Sequence, residues 1–416
     1  MAEEAGNQNL EHLANDFKGG TAGVLASAMA VVCQMAGMGI LQLAYMLRQG
    51  GWICLVLIVG CALATNYTGK LLIRCCYDQG SRVHATYAEI GMSAFGAGGK
   101  ACTQVFENAT LFGVSTLFLI LGGKFLEEIL PNTLDTRMWI VVGGAVAAIP
   151  VLVFRTIGEL KVVAFLGVAA VGAVVAAVVV EAFGAISDEA RHSKPTDIIL
   201  PGGLIPAFSA MALAFAAHAG LPHVESSMRD RAKFAKSFNI AYLLVMVLYL
   251  PVAVIGYAVY GNGVYSPILC SLPRDNWVQV AAKILVTLHV FLTYPVLMTL
   301  FLTEFEKSIQ LQPGSFAYLP KRTALRGLLV AMTVLVAVFV PYFDSMMSLV
   351  GAVCVVMTTF VLPAAFFLKL RARTLRERVL PVVVAAIGLV GGSIGAVQAM
   401  QDLIQKVSSG ADPNAG

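Results

Sequence analysis

Two long apolar stretches of the sequence are interrupted by small and polar residues that could bind a charged solute. A helix that is interrupted inside a membrane leaves backbone N–H and C=O groups unpaired, and its ends add partial charge. Such groups can hold a carboxylate and an ammonium. The interrupting residues are Gly37, Met38 and Gly39 in the first stretch, and Phe215, Ala216, Ala217 and His218 in the second.

The types of these residues suggest that the two interruptions bind different groups of the same solute. We expect backbone amides around Met38 and Gly39 to hold the carboxylate of a bound solute. Carbonyl groups around Phe215 and Ala216 would hold its ammonium, with the Phe215 ring over its apolar side. The alternative is close helix packing, because small residues let membrane helices approach each other. The matched interruptions favour the binding interpretation.

Three titratable residues inside apolar stretches are candidates for carrying protons. Histidine titrates close to neutral pH, and ionisable groups inside membrane spans usually have a function. The preferred candidate is His289, followed by His218, with Glu107 as a third. The alternatives stay open: a satisfied structural role for either histidine, and an ion pair of Glu107 with Lys100 or Arg155. Lys283, near the end of its apolar stretch, is expected to reach water.

The composition places these residues in a membrane. The chain has 416 residues, of which 58% are hydrophobic and 12% charged, and its mean hydropathy is +0.80. Apolar runs long enough to cross a bilayer recur throughout, which predicts an all-α polytopic membrane protein and excludes a β-barrel. The predicted spans are 19–47, 51–76, 100–123, 138–154, 160–184, 203–223, 237–260, 277–303, 324–341, 345–368 and 380–400.

The distribution of basic residues predicts the orientation of these 11 spans. Lys and Arg concentrate at the span ends that share a face with the N-terminus, so the N-terminus should be cytosolic. We therefore expect a cytosolic tail at 1–18, one membrane domain at 19–400 and a short lumenal or extracellular tail at 401–416. The interruptions fall in spans one and six, five spans apart. This spacing predicts an inverted five-plus-five repeat in which spans one and six are discontinuous helices.

Several motifs in order along the chain resemble the amino acid/auxin permease family. The run Gly37-Met38-Gly39-Ile40-Leu41-Gln42-Leu43-Ala44-Tyr45 is similar to its first-span motif. The segments Asn66-Tyr67-Thr68-Gly69 and Cys76-Tyr77-Asp78 resemble its branch of vesicular inhibitory and vacuolar amino acid transporters. Further matches, thinly spread over nearly the whole chain, are Phe215-Ala216-Ala217-His218, Pro222, Glu225, Met228, Phe234 and Val340-Pro341-Tyr342-Phe343.

This resemblance implies a sodium-symporter-like fold and secondary active transport of small neutral amino acids, including GABA or glycine, without a cofactor. It also suggests Thr287 and Thr293 as hydroxyl ligands near the cation position of that fold. Sodium-coupled relatives carry Asn where this chain has Cys33. A thiol is a poor ligand for a hard cation, so protons are favoured over sodium. At two positions where the family has a Gly and a Pro, this chain has Gln42 and Arg231. These two differences weaken any assignment of a particular substrate from the resemblance.

Other functions remain as alternatives. The same fold could serve as an amino acid sensor or receptor, although the short tails offer little surface for a signalling partner. A sodium-coupled or auxin-like carrier is a further alternative. The sequence shows no paired intramembrane Asp, metal-spaced His cluster or channel filter, and the net charge of +4 does not suggest nucleic acid. The expected partners are a small amino acid and the bilayer. A vesicle, vacuole or lysosome membrane is favoured over the plasma membrane.

Overall fold

The computed structural model describes residues 20–35, 37–153, 160–186, 194–272, 277–308 and 318–410, and these fold almost entirely as helices. A two-stranded hairpin connects the helix Cys54–Cys75 to the helix Tyr87–Ile129. The elements in chain order are α1 Val24–Met35, α2 Gly39–Gly50, α3 Cys54–Cys75, β1 Tyr77–Asp78, β2 Ser81–Arg82, α4 Tyr87–Ile129, α5 Thr136–Val153, α6 Leu160–Ile186, α7 Leu204–Ala214, α8 Leu221–Ser226, α9 Phe234–Tyr260, α10 Trp277–Ser308, α11 Tyr318–Phe339, α12 Phe343–Val350, α13 Leu362–Leu370 and α14 Leu375–Ser409.

The first predicted span is a broken helix. Helices α1 and α2 meet at an angle of 53° across the gap between Met35 and Gly39. Glycine has low helix propensity, and two glycines within three residues make an interruption inexpensive here. The break therefore lies where the sequence predicted it, at Gly37–Gly39.

The sixth predicted span is broken as well. Helix α7 ends at Ala214, the backbone of Phe215 and Ala217 departs from helical geometry, and a single 3₁₀ turn covers His218–Gly220. Helix α8 then begins with Pro222 in its first turn. A proline fits there because the first amides of a helix have no intrahelical partner. The predicted break around residues 216–219 is thus present.

The third predicted span begins close to the predicted residue 100. Within α4 the backbone leaves helical geometry at Phe95 and Gly96, so that a short helix from Tyr87 precedes the long helix that forms this span. Gly96 has a positive φ of 65°, which glycine adopts without steric cost. A Cβ on Gly99 would lie 2.2 Å from the carbonyl oxygen of Gly91. The glycines therefore allow a sharp kink between the two helical segments, at the glycine-rich entry to the third span.

The helices present apolar side chains on their outer faces, as lipid contact requires. Leu63 on α3, Leu243 on α9 and Val390 on α14 are 60–68% exposed. Within the described residues, eight helices are long and apolar enough to cross a membrane, or nine with the broken α1–α2 pair, and two shorter apolar helices cover Thr136–Leu152 and Ala169–Glu181. The chain is therefore a polytopic helical membrane protein, while the count of 11 crossings and the inverted repeat remain predictions.

The proposed division of the chain also remains a prediction. Residues 1–18 lie outside the part of the chain that the structure describes. At the other end, α14 continues past residue 400 to Ser409, with a left-handed Gly410 ending it.

Candidate functional site

The two helix breaks lie against each other. A Cβ placed on Gly39, at the start of α2, would be 2.8 Å from the Cα atom of Ala214, at the end of α7. A Cβ on Gly220 would be 2.3 Å from the amide oxygen of Gln34, near the end of α1. Both contacts require glycine, because a side chain at either position would meet the opposite broken helix. The breaks thus face one another, as the sequence predicted.

A tyrosine hydroxyl joins the two broken helices. The Tyr249 hydroxyl oxygen, on α9, lies 2.7 Å from the carbonyl oxygen of Met35 and 2.8 Å from that of Ala214. These carbonyls end α1 and α7, where the last helical C=O groups lack intrahelical partners. The single hydroxyl proton can be donated to either one. Tyr249 therefore stabilises both breaks at one point.

A pocket lies beside the first break and contains one of the predicted histidines. Its wall combines the break with side chains from α2, α4, α6 and α10. The N-terminus of α2 opens into this region, where its first amides and the positive end of its dipole favour an anion. The lining residues are Gly37, Met38, Ile40, Phe118, Leu121, Ala170, Val171, Val174, Val286, His289 and Val290.

His289 is positioned between the helix break and a hydroxyl. Its Nε2 atom lies 3.7 Å from the position a Cβ would take on Gly37. Its Nδ1 atom lies 3.2 Å from the Thr293 hydroxyl oxygen, and its ring meets the Phe118 ring edge-on at 6.2 Å. One ring nitrogen is thus engaged within α10 while the other faces the break. This geometry suits a proton carrier, but that role remains a prediction.

His218 lies at the second break and does not line the pocket. It is buried, and its Nε2 atom is 3.0 Å from the Thr68 hydroxyl oxygen of α3. The contact ties the 3₁₀ turn to α3, which supports the structural alternative for this histidine. Its predicted functional role stays untested.

Phe215 also points away from the pocket. Its ring stacks on Tyr242 at 6.0 Å and an angle of 8°, and lies 5.5 Å from the Tyr249 ring. Both partners belong to α9. Among the described residues we find no hydrogen bond to the carbonyl oxygens of Phe215 or Ala216, so these acceptors can serve a ligand. The ring's predicted contact with substrate stays a prediction.

The remaining predicted residues are not gathered at the pocket. The Thr287 hydroxyl donates to the carbonyl of Lys283 at 2.7 Å, one turn back on its own helix. Glu107 precedes the pocket residue Phe118 by 11 positions on α4, or roughly 16 Å at the helical rise. The structure therefore brings together the first break, His289 and Thr293, and leaves Thr287 and Glu107 outside this group.

Lys283 has a different role from the one expected. Its side chain is 4% exposed and forms an ion pair with Glu128. The prediction that it would reach water is wrong, because a carboxylate on α4 provides a partner inside the protein. A buried pair of this kind is retained only when both charges are satisfied.

A cluster of polar side chains fixes α8, the short helix that follows the second break. The Arg82 Nε atom lies 3.1 Å from Glu225 Oε2, and their side chains are 3% and 0% exposed. Arg82 also donates to the Pro222 carbonyl at 2.9 Å, and the Tyr77 hydroxyl donates to Glu225. Burial, together with the Glu225 carboxylate, raises the pKa of Tyr77, so this donor stays protonated. The β hairpin thereby holds α8 in place.

Sequence reasoning missed the residues that hold the breaks together. Nothing in an apolar helix distinguishes Tyr249 from a packing tyrosine, since its acceptors are backbone carbonyls. Glu225 was identified only as a motif position, although a carboxylate next to a predicted span was a usable signal. Its partner Arg82 is distant in sequence.

Two broken helices that face each other, with a mostly apolar pocket and one histidine beside the first break, are typical of a membrane carrier of small solutes. The chain belongs to the transmembrane amino acid transporter protein family, whose pattern matches residues 20–401. It is 27% identical to the amino acid transporter AVT1B of Arabidopsis thaliana over 95% of this chain and 73% of that protein. It is 24% identical to the vesicular GABA transporter of Caenorhabditis elegans over 85% of this chain and 74% of that protein.

Solved transporter structures share the fold. MhsT in complex with L-phenylalanine superposes with a TM-score of 0.54 at 12% identity, covering 92% of this chain and all of MhsT. A mutant manganese transporter of Eremococcus coleocola superposes with a TM-score of 0.58 at 11% identity, covering 95% of this chain and 96% of that one. These similarities establish the transporter fold. The protein is accordingly a multi-pass amino acid transporter family member and not an enzyme.

Proposed function

We propose that this protein is a proton-coupled carrier of small neutral amino acids, acting in a vesicle, vacuole or lysosome membrane with its N-terminus in the cytosol. The observation that supports coupling is the position of His289, whose Nε2 faces Gly37 at the first break. A titratable ring beside the substrate site allows protonation and substrate occupancy to influence each other. The vesicular GABA transporter among the relatives supports both the compartment and a GABA-like or glycine-like substrate.

Substrate binding in this proposal uses backbone groups of both breaks. The α2 amides around Met38 and Gly39 hold the carboxylate, assisted by the positive helix end. The Phe215 and Ala216 carbonyls hold the ammonium, and Ala217 and His218 continue the same break. The Phe215 ring would contact the substrate only after leaving its stacked position on Tyr242. These groups carry no net charge, which suits a zwitterion whose two charges must both be neutralised by dipoles.

Sodium coupling is disfavoured by the groups available. Cys33 offers a thiol, the Thr287 hydroxyl is engaged by its own helix, and the Thr293 hydroxyl faces His289. A sodium ion prefers several oxygen donors around one point. His218 and Glu107 remain secondary proton-carrier candidates.

The direct test is uptake of labelled amino acids into proteoliposomes that contain the purified protein. We expect accumulation only when a pH gradient is imposed, and equal uptake when external sodium is replaced by choline. Uptake that stops in choline would refute proton coupling. Specific amino acid binding without uptake or exchange under any gradient would instead identify a sensor on the same fold.

A further inference from the structure

Basic side chains are grouped at one end of the neighbouring helices α3 and α9. Lys70 and Arg74 lie in the last two turns of α3, and Lys236 lies in the first turn of α9. With its 22 residues, α3 is about as long as the hydrocarbon core of a bilayer is thick, so its final turns lie at the membrane interface. Together with Asn239 of α9, these three residues are called the interfacial patch.

The interfacial patch continues the lipid-facing stripes of both helices. Leu63 of α3 and Leu243 of α9 are 68% and 65% exposed. Arg74 follows Leu63 by three helical turns and Lys236 precedes Leu243 by two, which returns each side chain to the face of its leucine. Both basic residues are exposed, although the residues on either side of Arg74 are buried. The positive charges therefore face the bilayer and not the protein interior.

The two helices run antiparallel and bring the positive charges to one level. Trp52, just before α3, packs on Tyr257 near the end of α9, with ring centroids 5.0 Å apart. At the opposite end of the pair, the Lys70 Nζ atom lies 2.5 Å from Asn239 Oδ1. About one turn further toward the same membrane surface, each helix presents an exposed cation of the patch. Three positive charges are thus grouped around the groove between α3 and α9.

The partners of these cations within the protein are neutral. The Lys70 ammonium donates to Asn66 Oδ1 at 2.6 Å and to Asn239 Oδ1, which leaves one of its three N–H groups. In the part of the chain that the structure describes, no carboxylate forms an ion pair with Lys70, Arg74 or Lys236. Like charges four residues apart on a helix repel each other, as Lys70 and Arg74 do. An anion bound between the two helices would relieve this repulsion.

Another basic pair shows that the fold can supply a carboxylate. Arg322 and Arg326 of α11 lie 3.5 and 2.7 Å from Glu306 Oε1 of α10. Their side chains are 6% and 1% exposed, so their partner has to come from the protein. The cations of the interfacial patch lie on the lipid-facing surface, where an anion of the bilayer can reach them.

We infer that the interfacial patch binds the headgroup of an acidic phospholipid of the surrounding bilayer. The headgroup phosphate accepts hydrogen bonds from the Arg74 guanidinium and from the Lys70 and Lys236 ammonium groups. The acyl chains lie along the apolar stripes of α3 and α9. Three cations favour a headgroup with more than one negative charge, such as a phosphorylated inositol, over phosphatidylcholine, whose phosphate is balanced by its own choline.

The leaflet is consistent with this occupant. Anionic lipids are concentrated in the cytosolic leaflet, and the patch lies on the face that the sequence predicts to be cytosolic. Only this choice of leaflet rests on the proposed orientation. The inference is independent of the transported substrate and of proton coupling, and it goes beyond the proposed function.

Native mass spectrometry of the full-length protein in detergent tests the inference by counting bound lipids. The probes are short-chain phosphatidylinositol monophosphate, phosphatidylserine and phosphatidylcholine. We expect the wild type to bind one molecule of the inositol lipid most tightly and phosphatidylcholine most weakly. In the double variant Arg74→Gln/Lys236→Gln, affinity for the inositol lipid should fall roughly 25-fold, because each basic residue beside an anionic lipid contributes about fivefold. Affinity for phosphatidylcholine should change less than about twofold.

The matched control is Arg373→Gln/Arg376→Gln, which removes the same charge from two exposed arginines near the start of α14. This control should keep the wild-type affinity for the inositol lipid. Equal losses in the two double variants would overturn the inference, because they would show a general attraction to a positive surface. A wild type that does not distinguish the inositol lipid from phosphatidylcholine would overturn it as well.

Two further measurements complete the test. Inorganic phosphate at the concentration of the lipid should not displace it, and displacement would show a site for soluble anions in place of a lipid site. Melting temperatures without added lipid should match the wild type in both double variants, since the replaced side chains are exposed. If the first double variant melts early, the single variants Arg74→Gln and Lys236→Gln take its place, each with an expected loss of about fivefold. Wild-type affinity in both single variants would overturn the inference.

Discussion

The hydroxyl oxygen of Tyr249 lies 2.7 Å from the carbonyl oxygen of Met35, the last residue of α1. The same oxygen lies 2.8 Å from the Ala214 carbonyl that ends α7. Two helix ends that the sequence separates widely thus share one donor on a third helix. Because each carbonyl has lost its helical partner, this donor is worth more than an ordinary surface hydrogen bond.

Removing this hydroxyl should loosen both breaks. We expect Tyr249→Phe to lower stability by about 1–2 kcal/mol, since a buried carbonyl loses its partner, and to slow transport. The measurement is the melting temperature in detergent, followed by uptake into proteoliposomes.

Tyr242→Phe provides the matched control for this prediction. Tyr242 lies on the same helix and also packs on Phe215, but its hydroxyl interacts with Thr65 of α3 and not with the carbonyls of the two breaks. Its removal should therefore leave both breaks supported and cost less stability than Tyr249→Phe. Equal losses in the two variants would show that the rings, and not the Tyr249 hydroxyl, support the breaks.

The two glycines of the first break should respond differently to alanine. A Cβ on Gly39 would meet the Ala214 Cα at 2.8 Å, whereas one on Gly37 would meet His289 Nε2 at 3.7 Å, an ordinary contact. We expect Gly39→Ala to cost about 1–3 kcal/mol through overpacking and Gly37→Ala to fold normally. Melting temperatures of the two variants provide the comparison.

A larger side chain at Gly37 should separate folding from transport. Gly37→Val projects methyl groups into the pocket, so we expect normal folding and loss of uptake. Wild-type substrate affinity in this variant would show that the substrate does not bind beside the first break.

The sequence was sufficient to locate both breaks, because small residues and a proline weaken a helix wherever they occur. It could not show what holds the breaks in place. Tyr249 binds backbone carbonyls, which every residue has, so the sequence does not show which of them it contacts. Lys283 was misjudged for the same reason: its partner, Glu128, belongs to another helix and is brought close only by tertiary packing.

The buried ion pair between Arg82 and Glu225, which holds the short helix α8 after the second break, should be costly to disrupt. Arg82→Gln removes the cationic partner of the Glu225 carboxylate at a site where both side chains are at most 3% exposed, so we expect a loss of about 3–5 kcal/mol. Lys233→Gln removes a lysine from the exposed Lys233–Asp230 pair and should have little effect on stability, because exposed ion pairs contribute little. Thermal melting of both variants checks the prediction, and similar small losses would mean that the hairpin does not hold α8.

The final prediction concerns the coupling of transport to protons. His289→Gln keeps a hydrogen-bonding side chain of similar shape facing Gly37 and Thr293 but removes titration. A proton carrier must bind and release its proton during the cycle, so the variant should exchange substrate between compartments at equal pH yet fail to accumulate it under a pH gradient. The measurements are counterflow and gradient-driven uptake in the same proteoliposomes.

His84→Gln is the control, because His84 lies between β2 and α4, away from the pocket, and burial already lowers its pKa. That variant should retain accumulation. If His289→Gln still concentrates substrate with the pH dependence of the wild type, His289 is not the carrier, and Glu107 and His218 become the residues to replace next.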